Sequence, residues 1–456
     1  MTRSALYPIF FNMKRRFYFI LTQCFSLLFP VAGFSQDNLT EKYNLSLEEV
    51  IRLAKKQNNS VQAARYEEQA ALEDQKDIDK AALPNVQAGS SYQRFSNLTL
   101  FTNGLSHSDS GARRPSSNSA NLGIEVTFNI YSGGKQRSLQ KEQHSRLKLA
   151  QINTMDLSGN TAFYTASQYL ELIRLNELQK FISDQLKRAQ IRLENIQSLY
   201  KNQKVTKSDV LRAQVIVSNV ELSLQQNQND IAIANQKLVV AMNLPDSVTI
   251  VPTDSAGVEK PEVESLPALI EKAENSAFIV QKSGENIELQ RTKLRTLQSD
   301  TMPSLSFYSS YGLNYPNYLF FPSVDQAYSI GFVGLKLHYD ISSLYKSKDR
   351  ITAAKLRVKE LELIQQDHRN SVRSEIKAYY IKYNEALNRI SVNEKSVEQA
   401  KLNYKIVNTK YLNQLSLLTD LLDADHLYQE SRLNLVSAQT EALTIYYHIL
   451  YTSGNL

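Results

Sequence analysis

The sequence repeats itself. Leu83-Pro84-Asn85-Val86 leads to Ser90-Ser91-Tyr92, and Met302-Pro303-Ser304-Leu305 leads to Ser309-Ser310-Tyr311, 219 positions later. Tyr200, Asn202 and Gln203 precede Asp209, Leu211 and Ala213; Tyr411, Asn413 and Gln414 precede Asp420, Leu422 and Ala424, 211 positions later. Two blocks in the same order indicate duplication, and a duplicated unit constrains the fold before any single residue does. The halves are predicted at 36–245 and 266–453. The linker 246–265 holds Pro252 and Pro261 and reads as non-helical.

Both halves have one internal order. A helix near 46–82 or 266–300 ends at the Leu-Pro or Met-Pro step, because the residue before proline is pushed toward extended geometry. Strands are predicted at 85–97 and 120–131, and again at 303–315 and 327–339. The intervening loop 102–119 is rich in Ser, Asn and Gly and reads as exposed.

The strands alternate. Leu122, Ile124, Val126, Phe128 and Ile130 fall on one face, against Asn121, Gly123, Glu125, Thr127 and Asn129 on the other. Leu305, Phe307, Tyr311, Leu313 and Tyr315 share a face that also holds Ser309. Phe95, Phe101, Tyr315, Tyr318, Phe320 and Phe321 cluster near strand ends, as an interfacial girdle does. The same alternation suits a soluble hairpin packed on helices. If the strands cross a membrane they must close into a barrel, since open edges are not tolerated in hydrocarbon. Four strands cannot close one, so several copies of the chain would have to contribute.

Helical hairpins are predicted at 136–242 and 344–450. The stretch 136–200 contains no proline and only Gly159, and as one helix it would run about 100 Å. Ile182, Leu186, Ala189, Leu193, Ile196 and Tyr200 keep steps of four and three, and Ile376, Tyr383, Ile390, Val397, Tyr404 and Tyr411 recur every seven residues. That is coiled-coil spacing. Leu211, Val215 and Leu222 continue the rhythm on the first return helix, with the weaker Ser218 between them. The turns fall near 201–207 and 412–418.

Residues 1–35 read as a signal peptide. Lys14-Arg15-Arg16 precede an apolar run from Phe17 to Phe29, and cleavage is expected between Ser35 and Gln36. Four bases and no acid lie in this segment, so the formal charge falls from +6 to +2 without it. That removes the main support for a nucleic-acid ligand. Cys24, the single cysteine, lies there too, which leaves no disulfide, thiolate metal site or cysteine nucleophile beyond it.

Taken together, these features resemble the TolC-like outer-membrane efflux proteins across about residues 40–450. The resemblance rests on the duplicated order, on Phe128-Asn129-Ile130-Tyr131-Ser132-Gly133-Gly134 at the strand-to-helix crossing, and on the Tyr200…Asp209 and Tyr411…Asp420 turns. It implies a mixed α/β membrane protein. Three subunits would each give four strands to a twelve-stranded transmembrane β-barrel, continuous with a long periplasmic α-helical coiled-coil tunnel. It also implies the partners: a periplasmic adaptor (membrane fusion) protein, an inner-membrane pump of the RND or ABC type, and outer-membrane lipid. The function implied is passive conduction in a tripartite efflux or type I secretion system. Two departures stand out. Gln203 and Gln414 occupy turn positions where the family often has glycine, and the second crossing, Tyr339-Asp340-Ile341-Ser342-Ser343, lacks the Gly-Gly pair.

Asp420, Asp423 and Asp425 are the candidate periplasmic gate. Asp420 and Asp423 share a helix face, and the resemblance places two such acids at a constricted entrance. A threefold axis would make them a ring of six carboxylates, attracting cations and repelling anions. A helix N-terminus that favours acids explains the same residues. Tyr200, Gln203, Asp209, Tyr411 and Gln414 are the candidate adaptor contacts. An exposed turn offers no pocket to drive two carboxyl pKa values apart, so a glycosidase is disfavoured. His107, His144, His338, His368, His426 and His448 form no recognised metal motif. No catalysis, cofactor or metal is therefore expected. The rival reading is an exported structural or adhesive coiled-coil protein that does not conduct. A periplasmic adaptor fits two similar hairpins and four strands poorly.

Overall fold

The computed structural model describes residues 41–96, 105, 116–254, 261–317, 319, 325–413 and 415–456. The predicted signal peptide, Gln414, and Phe101, Tyr318, Phe320 and Phe321 of the aromatic cluster lie outside the described residues. Residues 42–456 form one compact unit.

Strand β1 (Glu41–Leu45) precedes helices α1 (Leu47–Gln57) and α2 (Asn59–Lys80). Strands β2 (Asn85–Arg94) and β3 (Asn118–Ser132) follow, then α3 (Lys135–Lys201), α4 (Lys207–Ala241) and strand β4 (Val248–Pro252). The second half runs α5 (Leu266–Ser276), α6 (Phe278–Ser299), β5 (Ser304–Tyr315), β6 (Tyr328–His338), the short α7 (Ser343–Lys346), α8 (Lys348–Leu412) and α9 (Leu418–Thr452). Helices α1 and α5 have 11 residues each, α2 and α6 have 22, and α4 and α9 have 35.

Two expectations need correction, and the non-helical linker gains a strand. The leading helix of each half is broken, at Asn58 and at Ala277, both with extended backbone. Asn58 makes the break usable: its side chain accepts from Ser60 N and Val61 N, and its amide donates to Ala241 O at 2.9 Å. The predicted linker contributes β4, which pairs with β1; strands of five residues are too short to show a period. The exposed face of α4 carries Leu211, Val215 and Leu222, while Ala213, Val217 and Val220 are its buried seam. The apolar period was there, displaced onto the open face.

Two core clusters form, and the first also takes in Val436 and Leu443 of α9. Tyr169, Leu172, Val50, Leu238, Met242 and Ile250 pack in the first. Ile376, Tyr383, Ile390, Leu269, Ile445 and Ile449 pack in the second. Buried hydroxyls are satisfied there: Tyr169 Oη donates to Leu45 O at 2.7 Å, and Tyr383 Oη to Pro261 O at 2.5 Å. The seven-residue stripe of α8 is buried from Ile376 to Ile390 and half-buried at Val397, Tyr404 and Tyr411, where fewer helices surround it.

The sheet has the order β2-β3-β5-β6 and is antiparallel throughout. Its register sorts the side chains. Val86, Val126, Ser309 and Val333 form one cross-strand row, and Ala88, Ile124, Tyr311 and Gly331 the next. Phe128, Phe307 and Leu335 continue that apolar face. Gln87, Glu125, Ser310 and Phe332 occupy the opposite, mainly polar face. A bulge lies between Asn129 and Tyr131, so Tyr131 pairs with Leu305 and Ile130 is the extra residue. Tyr131 thus replaces Ile130 on the apolar face. That face is uncovered: Val333 is 73% and Leu337 72% exposed. Strands β2 and β6 are open edges among the described residues.

Glycine solves the first sheet-to-helix crossing. Gly133 and Gly134 have φ of 63° and 86°, and a Cβ on Gly133 would meet Ser299 O at 2.6 Å. The second crossing uses hydroxyls instead. Asp340 accepts from Ser342 N and Oγ at 3.0 and 2.7 Å, and the single turn of α7 completes the bend. No described helix is long and apolar enough to cross a membrane.

Candidate functional site at the helical turns

The turn between α3 and α4 closes through two backbone bonds. Lys204 N donates to Leu199 O and Gln203 N to Tyr200 O, both at 2.9 Å. This closure puts Gln203 at φ 57°, the left-handed region that glycine adopts without penalty. In the second turn Leu415 N donates to Lys410 O at 2.9 Å. Gln414 itself lies outside the described residues.

Both return helices start on an aspartate. Asp209 Oδ2 accepts from Thr206 N at 2.9 Å and Thr206 Oγ1 at 2.7 Å, and Asp209 N donates back to Thr206 Oγ1 at 3.3 Å. Asp420 Oδ2 accepts from Leu417 N at 3.0 Å and Ser416 Oγ at 2.9 Å. These bonds stabilise the charged form. The Thr206 hydroxyl and amide hold the Asp209 carboxyl below its ordinary range, and the Leu417 amide and Ser416 hydroxyl do so for Asp420. Arg212 adds only through-space attraction to Asp209. Capping alone thus accounts for Asp209 and Asp420 at these positions. It does not account for Asp423, which is exposed one turn on and has no hydrogen bond or ion pair among the described residues.

Asp425 has a different environment from the other two acids. It is 4% exposed and meets two arginines of α3. Arg188 Nε donates to its Oδ1 at 3.2 Å, and Arg192 Nη2 reaches its Oδ2 at 3.4 Å. The Arg188 guanidinium lies 5.8 Å from the centre of the Tyr404 ring, and Tyr404 stacks on Tyr428 at 6.0 Å. One row beyond, Arg432 covers the Phe181 ring at 3.8 Å. A belt of paired charge and aromatic surface thus joins α3, α8 and α9 just inside the turns. Asp425 is neutralised within it and has no free charge to give an acidic ring.

Tyr200 is 44% exposed, whereas Tyr411 is half-buried. Burial raises the pKa of the Tyr411 hydroxyl; the charge of Arg192 opposes this and that of Asp209 adds to it. Arg188 and Arg192 escaped the sequence reading. Their signal was asymmetry: 211 positions on stand Gln399 and Asn403, and 211 before Asp425 stands Gln214.

The comparisons with known proteins agree with the family resemblance over part of the chain. Residues 50–244 match the outer membrane efflux protein family. The TolC-like resemblance is met by that sequence match and by the fold. The outer-membrane channel OprN is 15% identical, with 90% of each chain covered and a TM-score of 0.77. VceC from Vibrio cholerae is 17% identical over 90% of this chain and 96% of its own, with a TM-score of 0.73. The open state of the MtrE outer membrane channel of Neisseria gonorrhoeae is 16% identical over 90% and 89%, also at 0.73. At such identities the likeness is one of fold. No curated protein sequence matches the chain.

Proposed function

We propose that this efflux-family chain is one subunit of a homotrimeric outer-membrane channel. In this reading the two halves are duplicated repeats, and the three sheets join edge to edge into a twelve-stranded barrel. The observation that carries the proposal is the sheet: four strands, one uncovered apolar face, one mainly polar face and two open edges. Such a sheet meets the demands of hydrocarbon only after its edges are paired. The polar face then lines the lumen. The long hairpins continue the duct through the periplasm, and their turns meet a periplasmic adaptor through Tyr200, Gln203, Asp209, Tyr411 and Gln414. Energy comes from an inner-membrane pump of the RND or ABC type, in an efflux or type I secretion assembly, and conduction is passive.

At the entrance, Asp420 and Asp423 supply the gate charges. Both are exposed and one turn apart, and a threefold axis gathers six of them. Asp425 is left out of this ring because Arg188 and Arg192 hold it. The test is single-channel recording of the purified protein in planar bilayers. Small, cation-preferring steps are expected, and larger, less selective ones in Asp420→Ala/Asp423→Ala. Inserted protein that passes no current in either form would refute the channel and favour an exported coiled-coil scaffold.

A further inference from the structure

The mainly polar face of the sheet carries an aromatic exception. Strand β6 puts Ile330, Phe332, Gly334 and Lys336 on it, and Tyr308 of β5 stands opposite Gly334. The Tyr308 and Phe332 rings meet edge to face, with 5.7 Å between centres. Gly334 makes room for the pair: a Cβ there would lie 2.7 Å from Tyr308 Cζ. The two rings are fixed against one another and still open to solvent. Phe332 is 52%, Ile330 42% and Tyr308 39% exposed. An uncovered apolar patch on a face otherwise made of Ser, Thr, Asn, Gln and Gly marks a place where something binds.

A carboxylate stands in the same row. Glu125 pairs with Ser310, and Ser310 with Phe332, so Glu125 is two strands, about 10 Å, from the Phe332 backbone and diagonal to Tyr308. Glu125 is exposed and makes no ion pair or side-chain hydrogen bond among the described residues. Lys336, a base on the same face, is four residues along β6 from Phe332, about 13 Å. The charge next to the rings is therefore negative. Ring faces attract cations, and a carboxylate alongside adds to that attraction while repelling anions. A ring on the bound molecule would pack against Phe332 and Tyr308 as those rings pack on each other.

We propose that Glu125, Tyr308 and Phe332 form a binding station in the barrel lumen for organic cations that carry an aromatic ring. Glu125 takes the positive charge and the two rings take the apolar body. The inference rests on the barrel reading, in which this face lines the duct and a threefold axis supplies three such stations.

The full-length protein, purified in detergent as the trimer, would be titrated with three probes and binding read by saturation-transfer NMR against protein-free micelles. Benzyltrimethylammonium has ring and positive charge, tetramethylammonium the charge without the ring, and benzenesulfonate the ring with the opposite charge. Benzyltrimethylammonium is expected to bind about two- to fivefold more tightly than tetramethylammonium, and benzenesulfonate least of the three. Phe332→Ser is expected to abolish the preference for the ring and Glu125→Gln the preference for the positive charge. Both side chains are exposed, so each variant should remain a trimer with an unchanged thermal midpoint. Lys336→Gln, which removes the more distant base, should leave both preferences in place. Equal binding of the three probes, or the same preferences in Phe332→Ser and Glu125→Gln as in the unaltered protein, overturns the station. Failure of the unaltered protein to form a trimer is a separate result: it overturns the barrel reading on which the station rests.

Discussion

Asp425 on α9 and Arg192 on α3 meet at 3.4 Å with both side chains almost wholly out of water. Arg188 completes the set, so one carboxylate ties the last helix of the second half to the long helix of the first. Removing one member of a buried pair leaves an uncompensated charge, which typically costs about 3–5 kcal/mol. Asp425→Ala is therefore expected to lower stability by that order. Asp425→Leu/Arg192→Met/Arg188→Met should recover most of it, because no charge is left stranded. Urea titration followed by circular dichroism checks both.

Gln203 holds a left-handed backbone, which costs a residue with a Cβ roughly 1–2 kcal/mol. Gln203→Gly relieves that conformation, and the looser unfolded chain offsets part of the gain. A net stabilisation of up to about 1 kcal/mol is expected, and Gln203→Val should destabilise. If adaptor binding uses this turn, both variants will separate the effect of shape from that of the glutamine side chain.

His448 is half-buried against Phe163, at 4.9 Å between ring centres, and Tyr379 at 3.7 Å. Burial, reinforced by Lys382, lowers its pKa to about 4. Glu375 Oε1 lies 3.2 Å from Nε2 and pulls the other way, but its side chain is 44% exposed and water screens it. Between about pH 6.5 and 4 the unfolded chain binds a proton that the folded chain does not, so stability must fall as pH falls through this window. His448→Phe should remove that part of the slope. Thermal midpoints measured across the window, in both forms, are the check; equal slopes would rule the imidazole out as the cause.

Leu211 and Val215 stand on the open face of α4 at 52 and 59% exposure, and Leu402 on α8 at 60%. Apolar stripes on long helices call for a neighbour. Under the trimer reading that neighbour is a second copy. Leu211→Asp/Val215→Asp is expected to convert detergent-solubilised trimer to monomer on size exclusion, with helix content unchanged.

Much of this molecule was legible in the order of its residues. Periodicity placed the long helices because an unbroken run without proline has few alternatives, and the repeated blocks predicted the same order of elements in both parts of the chain. Strand alternation assigned the two faces of the sheet because side-chain direction has a fixed period of two. What failed were local events competing with a period. The breaks at Asn58 and Ala277, the bulge at Ile130 and the five-residue β1–β4 pair leave no repeat long enough to read.

The site divides in the same way. The sequence by itself determined that acids lie in the first turn of both return helices, because capping is local: Thr206 and Asp209 form a reciprocal box three residues apart, and Asp420 accepts from the Leu417 amide and the Ser416 hydroxyl just before it. Tertiary structure decided which acids keep their charge free. Asp423 and Asp425 are neighbours on one helix and look alike in sequence. Arg188 and Arg192 distinguish them, and they approach from more than 230 positions away. No local spacing encodes that approach; it follows from the way α9 lies against α3, which only the packed helices fix.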